Sequence, residues 1–154
     1  MIPTSIIALF CDDIREEKSG ALTLVGVMGD NVKLPPLPDS GSNVRAMIPR
    51  LAVYIRLNFD VEAFLATPIT FKIILPDGTE VSAGGVSEQT IAEARTTGQR
   101  GNQLAGIVSR LVFGGFVLTQ FGRITVEVDM GGNKYLAGIL NFVPDETAHE
   151  PASS

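Results

Sequence analysis

The chain has 154 residues, 45% of them hydrophobic, which suits one domain with its own core and excludes global disorder. Its net charge of −5 excludes a non-specific hold on nucleic acid, since displacing counterions takes cationic surface. Its single cysteine excludes an internal disulfide and fits a reducing compartment.

In chain order, the opening MIPTSIIALFCDDIREE carries a short apolar run with no basic residue ahead of it, unlike a secretory leader, so a cytoplasmic location is expected. Ser5 to Cys11 reads as a buried strand. Asp12 to Gly20 is polar, ends in Ser-Gly and reads as a connection, with Arg15, Glu16, Glu17 and Lys18 at a solvated tip. Ala21 to Met28 is the next strand, and Gly26 within it marks a bulge or a close backbone approach. Gly29 to Pro49 holds Pro35, Pro36, Pro38 and Pro49 and shows no periodicity, which predicts a long irregular crossing between sheets.

Arg50 to Phe59 alternates, with Leu51, Val53, Ile55, Leu57 and Phe59 inward and Arg56 and Asn58 outward. Asp60 to Pro68 is a loop. Ile69 to Leu75 is a strand with Ile69, Phe71, Ile73 and Leu75 inward, Pro76-Asp77-Gly78-Thr79 is a turn, and Glu80 to Ala83 pairs back as a short edge strand. Gly84 to Gln103 is a long connection. Ser87 is a candidate N-cap for one or two turns of helix over residues 87–95, which Gly98, Gly101 and Asn102 then break. Connections of this length are functional or mobile, so Arg95, Arg100 and Asn102 are its candidate interaction residues.

Leu104 to Leu118 resumes strand character, and Gly114-Gly115 marks a bulge or a two-residue turn. The stretch is interrupted by Ser109 and Arg110 and is too short to span a bilayer. Arg110 is its only charge, so it is either a central strand or a strand covered by another subunit. Ile124, Val126, Val128 and Met130 then alternate with polar residues, Gly131-Gly132-Asn133 turns the chain, and Lys134 to Phe142 returns. On the return strand Leu136, Gly138, Leu140 and Phe142 share one face, and Tyr135, Ala137, Ile139 and Asn141 share the other. Pro144 closes the domain, expected over residues 1–144, and residues 145–154 are expected to be a disordered acidic tail.

Period-two runs separated by turn signals predict an all-β fold, a two-layer antiparallel β-sandwich of about seven to nine strands. The opening also resembles an uncharacterised family of small bacterial proteins, grouped only as a domain of unknown function. The resemblance rests on the first apolar strand, Cys11-Asp12-Asp13, Arg15-Glu16-Glu17, the loop ending at Gly20, and the strand LTLVGV leading to Gly29-Asp30. The run from Leu118 to Met130 with its Gly turn matches as well. This resemblance implies an immunoglobulin-like sandwich and no known activity. Ile124 stands where such sandwiches often place a corner tyrosine.

Catalysis finds little footing. The only histidine, His149, lies in the expected tail, and a general base must be held in place. Cys11 ends an apolar strand and reads as a small buried hydrophobe without a base beside it. No nucleophile elbow, Walker loop or dinucleotide fingerprint is present. For metal, the weak candidates are Asp12, Asp13, Asp60 and Glu62. Strands running alternately up and down would bring these to one end, although Arg15 suits a salt bridge there better than a cation. No cofactor is expected. The expected function is a non-enzymatic protein-interaction or structural module that self-associates or binds a protein partner, with a subunit of a larger bacterial or phage assembly as one setting. A ligand- or calcium-binding sandwich is the alternative.

Overall fold

The computed structural model describes residues 2–35, 37, 43–61, 67–99 and 104–149. Among these the chain is mostly β, as the alternation predicts. The elements are β1 (Ser5–Cys11), β2 (Asp13–Glu16), β3 (Leu22–Val25), β4 (Asn31–Leu34), β5 (Ala46–Asp60), β6 (Ile69–Ile74), β7 (Glu80–Val86), α1 (Glu88–Gln99), β8 (Leu104–Leu118), β9 (Gly122–Met130) and β10 (Asn133–Pro144). They make a three-stranded sheet β1-β5-β8, a five-stranded sheet β4-β10-β9-β6-β7 and a separate β2-β3 hairpin. The count exceeds the expected seven to nine because two four-residue segments, β2 and β4, also pair.

β5 and β8 run antiparallel over 15 residues each, from Ala46↔Leu118 to Asp60↔Leu104, and β1 pairs on the other side of β5. The inward row predicted for β5, Leu51 to Phe59, is fully buried. It shares one core with Ile69, Phe71 and Ile73 of β6, Ile124 to Met130 of β9, and Leu140 and Phe142 of β10.

On both long strands the alternation slips by one residue at the same place. Ile48 is buried and Leu51 is the next buried residue on β5, while on β8 Phe113 and Phe116 both turn toward the core. Between the pairs Ile48↔Phe116 and Arg50↔Gly114 lie Pro49, which has no N–H for the ladder, and Gly115 at φ +71°. Gly114-Gly115 is therefore a kink inside a strand and not a turn. The rings of Phe113 and Phe116, 5.2 Å apart, bridge it.

The β9-β10 hairpin turns on Gly131 and Gly132, both at positive φ. Its register shifts between Leu136 and Gly138, so Ala137 is an extra, bulged residue. This corrects the predicted phase. Leu136, grouped by period two with Leu140 and Phe142, is 58% exposed while those two are buried, and Tyr135 and Ala137 pack against the core. Gly138 lies where the two sheets come close. A Cβ there would sit 2.9 Å from Ala8 Cβ and 3.1 Å from the Phe10 ring.

Three further segments differ from expectation. β4 falls in the stretch read as irregular, and it pairs with β10 in parallel, from Asn141↔Asn31 to Pro144↔Leu34, so the five-stranded sheet is not wholly antiparallel. β2 occupies part of the expected connection, and the hairpin loop shrinks to the turn closed by the Glu17 N–H on the Ala21 carbonyl. α1 is 12 residues long, where one or two turns were expected. Ser87 caps it as predicted, its Oγ accepting the Thr90 N–H at 3.1 Å. Ile91 anchors α1 in the core, with Ala94 packed beside it.

At the C-terminal end the Asp145 N–H bonds to the Leu34 carbonyl, Glu146–His149 forms a 3-10 turn, and residues 150–154 lie outside the described residues. Among the described residues no helix is long and apolar enough to cross a membrane.

Gly138→Ala should cost about 1–3 kcal/mol, since the added methyl meets side chains on a facing strand that cannot recede without opening the core. Gly29→Ala, whose Cβ would meet nothing within 4 Å, should change stability by less than about 0.5 kcal/mol. Urea unfolding of the two variants checks the difference, and equal midpoints would contradict the close approach.

Candidate interaction surface

The outward side chains of β1, β5 and β8 fall into rows set by the register: Ser5, Asn58 and Gly106; Ile7, Arg56 and Val108; Leu9, Tyr54 and Arg110; Cys11, Ala52 and Val112. Ile7 and Leu9 on β1 and Val108 and Val112 on β8 are 38 to 49% exposed, on either side of Arg56 and Tyr54 of β5. The five-stranded sheet turns a different face to water. There Thr70, Lys72, Ser82, Glu127, Asp129 and Lys134 line a hollow together with Phe71. Lys72 reaches Glu80 at 2.7 Å, and this bond raises the Lys72 pKa and lowers that of Glu80.

The β2-β3 hairpin covers one end of the apolar face. The chain kinks at Asp12, whose N–H bonds to the Val25 carbonyl at 2.9 Å and whose carboxylate lies over Gly26, where any Cβ would overlap it. Folded back in this way, the hairpin buries Cys11, Ile14 and Ala52 with Leu22, Leu24 and Tyr54 packed around them. Ion pairs rim the patch: Arg50–Asp13 at 2.6 Å, Arg15–Asp13 at 3.4 Å and Arg110–Glu16 at 2.8 Å. Each has at least one well-exposed partner, so each contributes at most about 1 kcal/mol.

α1 flanks the other end. Between it and residues 104–108 of β8 lies a cleft of about 380 Å³ lined by Arg56, Thr90, Glu93, Ala94, Thr97 and that strand segment. Arg56 Nε donates to Asn58 Oδ1 at 3.1 Å, and Asn58 Nδ2 donates to Ser5 Oγ at 2.8 Å, so a relay across two strands holds the guanidinium.

β8 is an edge strand. The reading of Leu104 to Leu118 as a central strand is overturned: no strand pairs with its second side among the described residues, and from 104 to 108 its side chains alternate between exposed and buried. Arg110 is its only charge.

The acidic candidates do not gather. β1 is antiparallel to β5, with Cys11 beside Ala52, so Asp12 and Asp13 lie toward the N-terminal end of β5 and Asp60 at its other end. Eight residues of strand, roughly 26 Å, separate Ala52 from Asp60. Asp13 is taken up by Arg50, Arg15 and the Ile14 N–H. Glu62 lies outside the described residues. Among those described, no three His, Cys, Asp or Glu residues come together to hold a metal ion. Of the expected interaction residues, Arg95 sits exposed on α1, and Arg100 and Asn102 lie outside the described residues. Sequence reasoning placed Arg56 on an outward face but missed its cleft, which depends on α1 returning beside β8.

The family of unknown function DUF6941 matches this chain over residues 6–140, and the chain belongs to it. No curated protein matches the chain.

Cys11 is fully buried, with its thiol directed at the Ala52 carbonyl at 3.7 Å. Burial first, and then the charge of Asp12, raises its pKa. The unfolded thiol ionises near about pH 8.5, so the unfolded state loses its proton first and stability falls as pH rises from there through the folded value. The urea midpoint of the wild type should therefore drop more between pH 7 and pH 10 than that of Cys11→Ala. A thiol reagent should label Cys11 only after urea is added, and rapid labelling in native buffer would contradict the burial.

Proposed function

We propose that this member of the family is a non-enzymatic interaction module of immunoglobulin-like β-sandwich type, working in the cytoplasm as a subunit of a larger bacterial or phage assembly. The observation that carries the reading is the exposed apolar side chains on this face, Ile7 and Leu9 on β1 and Val108 and Val112 on β8, the last two on a strand whose second side is unpaired among the described residues. Soluble monomers usually guard such an edge with charge, proline or a covering element. Here one arginine and a glycine kink stand along 15 residues, and α1 flanks the strand at residues 104–108. The sandwich reading is supported by two sheets of three and five strands sharing one core.

The first partner to consider is a second copy. An antiparallel strand edge is self-complementary about a two-fold axis, so one surface serves both subunits. Pairing β8 with its counterpart would extend both three-stranded sheets into one and bring their apolar faces side by side. A foreign strand would use the same backbone groups, as in strand-addition recognition.

Light scattering at micromolar concentration should give a species heavier than the 16.4 kDa of one chain. Val108→Lys combined with Val112→Lys should return it to a monomer, with a fold intact by circular dichroism because both side chains are already exposed. A wild-type monomer whose mass does not change with concentration would overturn self-association.

A further inference from the structure

We propose that the cleft between α1 and β8 is a carboxylate-binding site anchored by Arg56. Arg15, Arg50 and Arg110 each hold a carboxylate within 3.4 Å, whereas Arg56 is held by a neutral amide, that of Asn58. The Asn58 bond occupies Nε–H and fixes the plane of the guanidinium. Its two terminal nitrogens, which match the two oxygens of a carboxylate, make no hydrogen bond among the described residues. The guanidinium also lies over Gly106, with one terminal nitrogen 3.7 Å from where a Cβ would stand, so a long side chain there would displace it.

The rest of the lining narrows the ligand. Thr90 and Thr97 offer hydroxyls, and Ala94, Leu104 and Val108 offer aliphatic surface beside the charge. At about 380 Å³ the cleft is near the small end of ligand sites. The fitting class is a carboxylate on a short aliphatic body, either a free small acid or the last residue of a peptide chain. Glu93 lines the same cleft, yet its Oε1 accepts from Gln89 Nε2 at 2.9 Å rather than from Arg56. Its negative charge opposes an incoming carboxylate, which gives the site a testable sign. The site shares Val108 with the face proposed for self-association, and its Arg56 anchor lies outside the β8 edge.

The test is an amide-resolved NMR titration of the full chain with hexanoate and with a tetrapeptide ending in a free leucine carboxylate, each beside its C-terminal amide. Saturable shifts confined to α1 and residues 104–108 are expected with the acids and not with the amides. Arg56→Gln should weaken binding about tenfold or more, since it removes a charge-assisted pair. Arg56→Lys should retain part of it, and Glu93→Gln should tighten it. Response to the peptide alone identifies a chain end as the ligand, and response to both acids means that a free acid suffices. Equal shifts with acid and amide, an unchanged titration in Arg56→Gln, or no saturable shift would overturn the proposal. Light scattering on the same samples separates loss of binding from a change of assembly.

Discussion

The fold depends on one row of side chains: Leu51, Val53, Ile55, Leu57 and Phe59, all without solvent exposure. Burying each stabilises by about 1.5–3 kcal/mol, so the row together is comparable with the net stability of a whole domain. Pairing on both sides and packing on the inner face together bury this row, the most completely buried of its sheet. β5 therefore lies at the middle of its sheet, and β1 and β8 are left as flanks. The facing row, Ile124 to Met130 on β9, occupies the matching middle position of the five-stranded sheet. The open edge of β8 follows from where the strongest burial had to go.

Much of this was legible in the residues. The inward rows of β5, β6 and β9 and the Gly131-Gly132 turn can be read from period two alone. The misreadings share one cause, that pairing is non-local. Period two puts Leu136 on one face with Leu140 and Phe142 because nothing near it announces a bulge at Ala137. That bulge accompanies the approach of β10 to Ala8 and Phe10, more than a hundred residues earlier in the chain. β2 looks like a loop because only Ile14 of its four residues is buried, and its partner surface is the outer face of β5. β4 hides among prolines and glycines because its pairing energy comes from β10.

The interaction surface was legible in part. Outward Arg56 and Asn58 could be read from alternation, and the weakly charged stretch from Leu104 to Leu118 was recognised as needing cover. Its edge position could not be read, because an apolar strand shows the same composition whether its second side is paired or open. The cleft was out of reach for a related reason. Arg56 and Glu93 are 37 residues apart in sequence, and the length of α1 brings them to one place.

The two elements that flank the three-stranded sheet are held unequally. The hairpin is tied by backbone bonds from Asp12 to Val25 and from Met28 to Phe10, and it encloses a small core of its own. Among the described residues α1 buries Ile91 in the core with Ala94 partly buried beside it, and its other side chains are exposed. Local stability follows buried apolar contact, so α1 belongs to the end of the molecule that opens at lower free energy. The cleft, the Arg56 relay and the start of the exposed β8 edge all lie at that end. A ligand or strand approaching there meets a helix held by Ile91 and Ala94 rather than by a cluster of its own, which makes this the end where docking displaces least.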